Sequence, residues 1–264
     1  MAKHTDTDGD GVADYADQVR PADGDDDLGV PHVRGTYFHL LEQKPGLGRH
    51  VLHDARSLNY NAADLVEHVT KEVTTFHKRV APVWDQGQLG ACTAFAALGV
   101  MMTEPFYRTS FKYSGADAIK FYEQETALDN AQIPGSYPPD DTGSTGLWSM
   151  KLLRKMGLIS GYKHAFSFTT VKKLLQVDPV SFGVPWYNSM FTPDKYGRIH
   201  VDQSSGLAGG HQLDGTGIDF TNQEIELTNS WGPSWGLSGR CRISFADMQT
   251  LLANHGDCSV PVVS

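Results

Sequence analysis

Three groups of residues in this 264-residue chain have the types and the order that nucleophilic catalysis needs. The first is Pro82-Val83-Trp84-Asp85-Gln86-Gly87-Gln88-Leu89-Gly90-Ala91-Cys92-Thr93-Ala94-Phe95, a glycine-rich loop that runs into an apolar segment beginning at a cysteine. From Ala91 to about Thr103 the chain is rich in Ala, Leu, Val and Met and lacks proline, which predicts a helix with Cys92 in its first turn. A thiol there faces unpaired backbone N–H groups and the positive end of the helix dipole, which favour thiolate. Gln86 precedes it across two glycines that let the loop fold back, so its amide can share an oxyanion site with the Cys92 N–H. A lone cysteine in an apolar run is more often a buried structural thiol. Downstream residues decide against that reading. A nucleophilic thiol needs a base, and the base needs a partner that fixes its tautomer; Gly209-Gly210-His211 and Leu227-Thr228-Asn229-Ser230-Trp231-Gly232 supply both.

Taken together, Gln86-Gly87-x-x-Gly90-x-Cys92-x-Ala94-Phe95, His211 ahead of the strand-like Gln212 to Asp219, and Asn229-Ser230-Trp231-Gly232-x-x-Trp235-Gly236-x-x-Gly239 resemble the papain family of cysteine peptidases. The resemblance implies an α+β, two-lobed fold in which a helical lobe faces an antiparallel β lobe across the active-site cleft. It also implies acyl transfer on a polypeptide substrate without a catalytic cofactor. Cys92 would attack, His211 carry the proton, Asn229 orient the imidazole and Gln86 help hold the oxyanion, with Trp231 shielding the His211–Asn229 bond from water. Gly143 to Thr145, Ser144 among them, lies where the family pairs with an extended substrate, and Gln212, next after the histidine, falls in the S2 pocket.

The chain also departs from the family. Leu89 stands where a disulfide-forming cysteine is usual and Thr93 where a Trp usually follows the nucleophile, a pattern most like bacterial, archaeal and phage members. Gln212 replaces a small apolar residue, which argues against an apolar S2 preference. Alternation along a strand turns Gln212 and Asp214 away from the side that carries His211. Two other functions use the same fold: a peptidoglycan-cleaving hydrolase with the same dyad, and a binding or structural component, for example of a phage particle, without turnover.

Composition narrows the partners. The net charge of −9 provides no concentrated basic surface for nucleic acid. No apolar run is long enough to span a bilayer, and Met1 to Asp6 lacks the apolar core of a signal peptide. Three cysteines fit one working thiol with at most one bridge, for which Cys241 and Cys258 are the pair; a buried free thiol is the simpler reading of Cys241 in its alternating strand.

The elements that must position these residues follow in order. Residues 1–27 form an acidic arm in which Asp6, Asp8, Asp10, Asp14 and Asp17 stand at positions 1, 3, 5, 9 and 12 of a calcium loop, with Gly11 at 6 and the Val12 carbonyl at 7. That register predicts a Ca²⁺ site and a docking or stabilising arm; the competing reading is a solvated acidic tail, like the cluster Asp23 and Asp25 to Asp27. Residues 28–78 form an N-terminal extension or pro-segment with little legible regular structure. There His50-x-x-His53 reads as surface histidines rather than metal ligands, and Asp64 to Val69 as one helical turn or a strand. Residues 79–264 form the peptidase domain. It should contain helices over Ser114 to Glu125, from Thr142-Gly143-Ser144-Thr145 to about Met156, and over Thr169 to Leu175, then strands at Pro179 to Val184, Ile199 to Val201, Gln212 to Asp219, Ile225 to Asn229 and Arg240 to Ser244.

Overall fold

The computed structural model describes residues 45–263, so the acidic arm, its candidate calcium loop and residues 28–44 lie outside the described residues. Helix α1 (Cys92–Met101) opens at the cysteine, and all ten of its residues are buried. With small and apolar side chains on every face it has no side to turn to water, so it must lie between layers. On one side pack α2 (Gly115–Asp129) and α3 (Gly146–Lys155). Both begin at local signals. The Ser114 side chain accepts from the Asp117 N–H while the Asp117 carboxylate accepts from the Ser114 N–H, and Thr145 caps α3 through the Trp148 N–H. Gly157, at φ 73°, ends the turn after α3 as a left-handed residue should.

The other side of α1 meets an antiparallel sheet. Its strands are β1 (Thr75–Phe76), β2 (Gly161–His164), β3 (Val180–Tyr187), β4 (Leu207–Asp219), β5 (Glu224–Thr228), β6 (Arg240–Ser244) and β7 (Asp257–Val262), ordered β2-β7-β3-β4-β5-β6 with β1 paired to β4. Strand β4, which carries His211, is the one that α1 packs against most closely, with β3 beside it. Helices α4 (Phe168–Leu174) and α5 (Phe245–Ala253) complete the described chain. This is the α+β arrangement expected, with a helical side and an antiparallel β side. Among the described residues no helix is long and apolar enough to cross a membrane.

Several expectations need correction. Ile199 to Val201 forms no strand; Arg198 makes a single bridge to Arg242 instead. One reading needs none: Cys241 lies in β6 and Cys258 in β7, with β5, β4 and β3 between them, and both are free and buried, the simpler of the two alternatives for Cys241. In the described part of the extension Leu47, Ala62 and Val66 belong to the same apolar core as α1. Residues 63–66 form a 3₁₀ turn, the helical alternative of the two expected there. His50 and His53 are not surface histidines. His50 is buried with Nε2 on the Thr142 carbonyl, and His53 stacks on His255 with ring centroids 6.2 Å apart.

Candidate active site

The loop ahead of Cys92 is tied to the loop after β5. Asp85 bridges Trp231, the Gln86 N–H donates to the Ser230 carbonyl at 2.8 Å, and the Gly232 N–H to the Trp84 carbonyl at 3.1 Å. These bonds fix the chain on either side of Gln86 and Asn229 relative to each other, although the two are 143 positions apart in sequence. The Asp141 carboxylate adds a further brace, accepting from the Gly90 N–H at 2.9 Å and from the Tyr122 hydroxyl at 2.7 Å, and that hydroxyl accepts from the Gly143 N–H at 2.7 Å.

His211 Nε2 meets Asn229 Oδ1 at 2.8 Å, and the same oxygen accepts the Ser230 N–H at 2.7 Å. A backbone N–H can only donate, so the shared atom is an acceptor and His211 Nε2 must carry the proton. In a neutral ring Nδ1 is then a lone pair, and it has no hydrogen-bond partner among the described residues. Burial pushes the His211 pKa down to about 4, against the Asn229 bond, which raises it. The imidazole is thus kept neutral with its free nitrogen able to accept a proton.

Aromatic rings pack around that bond. Trp231 stacks on His211 at 4.6 Å between centroids, Trp186 meets the same ring edge-on at 5.0 Å, and Phe191 stacks on Trp231 at 5.5 Å. Neither Trp186 of β3 nor Phe191 in the turn that follows it is legible in the sequence, because an aromatic outside any motif reads as plain core until the fold sets it beside the histidine or its Trp231 neighbour.

Cys92 faces β4 at the peptide just after His211: the Gln212 and Gly48 N–H groups both point hydrogen bonds at its sulfur. Position at the first turn of α1 agrees with expectation, but the thiolate does not follow. Burial pushes the thiol up to about 12, outweighing those two bonds. The physical reason is that the cleft is filled. Residues 46–50 run between its walls: the Gly46 N–H donates to the Gly87 carbonyl at 2.9 Å, the Gly48 and Arg49 N–H groups to the Gly210 carbonyl at 3.2 and 3.1 Å, and the His50 N–H to the Ser144 carbonyl at 2.7 Å. The Ser144 N–H returns a bond to the Gly48 carbonyl at 2.9 Å. Ser144 therefore pairs with an extended segment that belongs to the chain itself, while the Gly143 N–H is taken by Tyr122.

Gln86 is held in a donor orientation. The Ser230 hydroxyl donates to its Oε1, while Nε2 donates to the Gly46 carbonyl at 3.0 Å and to the Leu89 carbonyl at 2.7 Å. Trp231 Nε1 donates to the same Gly46 oxygen at 3.2 Å. A carbonyl of the segment thus occupies Gln86 Nε2, one of the two donors expected to serve an oxyanion. Behind Cys92, Thr93 donates to the buried Glu125 carboxyl at 2.9 Å, as does Ser149; burial pushes Glu125 up to about 8. That bond accounts for a hydroxyl in place of the usual Trp. Asp214 of β4, whose carboxylate lies against Gly99 of α1, pairs with Arg79, both buried. Among the described residues no group of His, Cys, Asp and Glu could hold a metal ion.

No protein-family model matches the chain. Solved structures do resemble it. Xylellain, a cysteine protease from Xylella fastidiosa, superposes with a TM-score of 0.66 at 18% identity over 86% of this chain and 100% of its own. The Amb a 11 cysteine protease of ragweed pollen, in its proform, gives 0.58 at 17% over 79% and 72%. Bromelain from Ananas comosus, in complex with the E64 inhibitor, gives 0.50 at 16% over 70% and 95%. The chain has the fold of the papain-like cysteine proteases.

Proposed function

We propose that the chain is a cysteine peptidase that hydrolyses peptide bonds by acyl transfer, and that residues 46–50 hold it latent. Cys92 attacks the scissile carbonyl once its proton has passed to His211 Nδ1. Gln86 Nε2 and the Cys92 N–H stabilise the oxyanion; the imidazolium then protonates the leaving amine, and the neutral ring activates water to release the acyl group. Asn229 is a positioning residue that holds the tautomer, Trp231 shields it, and Gly143, Ser144 and Gln212 receive the substrate. The observation that carries this reading is the His211 Nε2–Asn229 Oδ1 bond at 2.8 Å, which leaves Nδ1 unpartnered on the strand that packs against the Cys92 sulfur.

Latency rests on the backbone bonds of residues 46–50 to both cleft walls, and on the 1.9 Å that would separate a Cβ at Gly48 from the Gly90 carbonyl oxygen, so close does the segment pass. The ragweed protease that shares the fold was captured as a proform. Incubating the full chain with denatured casein and, separately, with an epoxide thiol reagent tests both parts: slow cleavage and slow labelling, each lost in Cys92→Ala, is the expected result. Cleavage that survives Cys92→Ala excludes the mechanism.

For the N-terminal arm, the register of Asp6, Asp8, Asp10, Val12, Asp14 and Asp17 supports a Ca²⁺ site that serves docking or stability rather than catalysis.

A further inference from the structure

Across three neighbouring strands the register sets Gln212 of β4 opposite Gly183 of β3, and Gly183 opposite Asp257 of β7. Cross-strand partners project to the same face of a sheet, so two polar side chains flank a position with no side chain. The gap is occupied. A Cβ on Gly183 would lie 2.2 Å from Arg49 Nε, 2.5 Å from Asp257 Oδ2 and 2.8 Å from Gln212 Oε1. Arg49 Nε donates to Asp257 Oδ2 at 3.1 Å, Nη2 donates to the same oxygen, and Nη2 also donates to the His255 carbonyl at 2.8 Å. The Arg49 side chain is 1% exposed and that of Asp257 16%.

We propose that Gln212, Gly183 and Asp257 form a subsite for a positively charged side chain, which makes the enzyme selective for peptides with arginine in the position that pairs with Ser144. The inference rests on the peptidase reading and names its substrate class. Arg49 is the residue whose backbone runs alongside Ser144, and Gln212 by resemblance lines S2, so the position concerned is the second residue before the scissile bond. Two further observations point to a guanidinium. Gln212 Oε1 and Arg49 Nη1 are buried without partners among the described residues, so the pocket still holds an acceptor, and its amide is fixed by the Nε2 bond to Ser181 Oγ at 2.9 Å. An apolar side chain entering here would bury the Asp257 carboxylate with no counter-charge, a cost that excludes it, whereas a planar cation restores the pair. Gly183 is what leaves the depth for so long a side chain.

The test uses the full chain and two fluorogenic peptides, benzyloxycarbonyl-Arg-Ala-aminomethylcoumarin and its Leu-Ala counterpart. The ratio of their kcat/KM values cancels the fraction of molecules whose cleft is open. We expect a ratio of at least about tenfold in favour of arginine, falling at least about tenfold in Asp257→Asn and partly kept in Asp257→Glu. A ratio near one in the wild type, or one unchanged in Asp257→Asn, overturns the subsite and leaves the peptidase standing. A second arm needs no turnover. Arg49→Ala vacates the pocket, and Nα-acetylarginine methylamide should then raise its Tm where Nα-acetylleucine methylamide does not, an effect lost on adding Asp257→Asn. If Arg49→Ala does not fold, the same two amides are compared for how far each speeds Cys92 alkylation in the wild type. Selective binding with neither peptide cleaved retains the subsite and removes the peptidase; equal effects of the two amides overturn the subsite.

Discussion

Gly48→Ala should open the cleft, and the structure fixes by how much. The new Cβ would stand 1.9 Å from the Gly90 carbonyl oxygen and 2.4 Å from the carbonyl carbon, both backbone atoms that cannot rotate away. Ordinary contact needs about 3.5 Å, so the segment must retreat by roughly 1.5 Å, enough to break the bonds from the Gly48 N–H to Gly210 and from the Ser144 N–H to the Gly48 carbonyl. At about 1 kcal/mol net for each, the closed state loses about 2 kcal/mol, which raises the open fraction roughly 30-fold. Opening also removes the burial that pushes the Cys92 thiol up to about 12, so labelling at neutral pH runs through the open state and its rate follows the open fraction. Iodoacetamide labelling followed by mass spectrometry reads the rate at each cysteine, with buried Cys241 and Cys258 as internal controls. Cys92 should label on the order of 30-fold faster in Gly48→Ala while the other two stay slow. An unchanged Cys92 rate refutes the occlusion, and a common rise at all three means that the glycine serves the whole fold.

Within the site, Cys92→Ala and His211→Ala should each abolish hydrolysis, while Asn229→Ala leaves a remnant, since a positioning residue is not a reacting one; equal mild losses in a steady-state assay would count against acyl transfer. His211 should stay neutral down to about pH 4 when followed by NMR. Because its pKa is lowered in the fold, an opened chain binds more protons between about 4 and 6.5, so the His211 contribution to stability is present above that window and lost as pH falls through it. A ring that titrates near 6.5 in the closed chain would mean it is not dry. Calorimetry with Ca²⁺ should show binding to the wild type that an Asp8→Ala, Asp10→Ala double variant loses, with little change in turnover; heat that survives the double substitution places the ion elsewhere.

What the sequence made legible is what local chemistry and period encode. The start of α1 at Cys92, the helices that open near Ser114 and Thr145 and the whole of β6 all follow from short-range signals. The His211–Asn229 pair was legible because its motifs are contiguous. Asp257 and Gly183 were not, since a pocket built from one residue on each of three strands exists only in the register. Nor was the low helix-start pKa expected of Cys92 met, because the favourable dipole acts on an open thiol and here residues 46–50 close it off. Asp257 and β7 follow α5 in a stretch whose Gly, Asp and Pro obscure its alternation, and β2 is too short and polar to stand out.

The most direct test of the account is to trap the acyl group. Gly48→Ala is mixed with a rapidly acylating peptide ester, quenched in acid within one turnover and digested for mass spectrometry. The account predicts an acyl adduct on the peptide that carries Cys92, absent in Gly48→Ala with His211→Ala. An adduct on Cys241 or Cys258, or product formed with no adduct at any thiol, would contradict it.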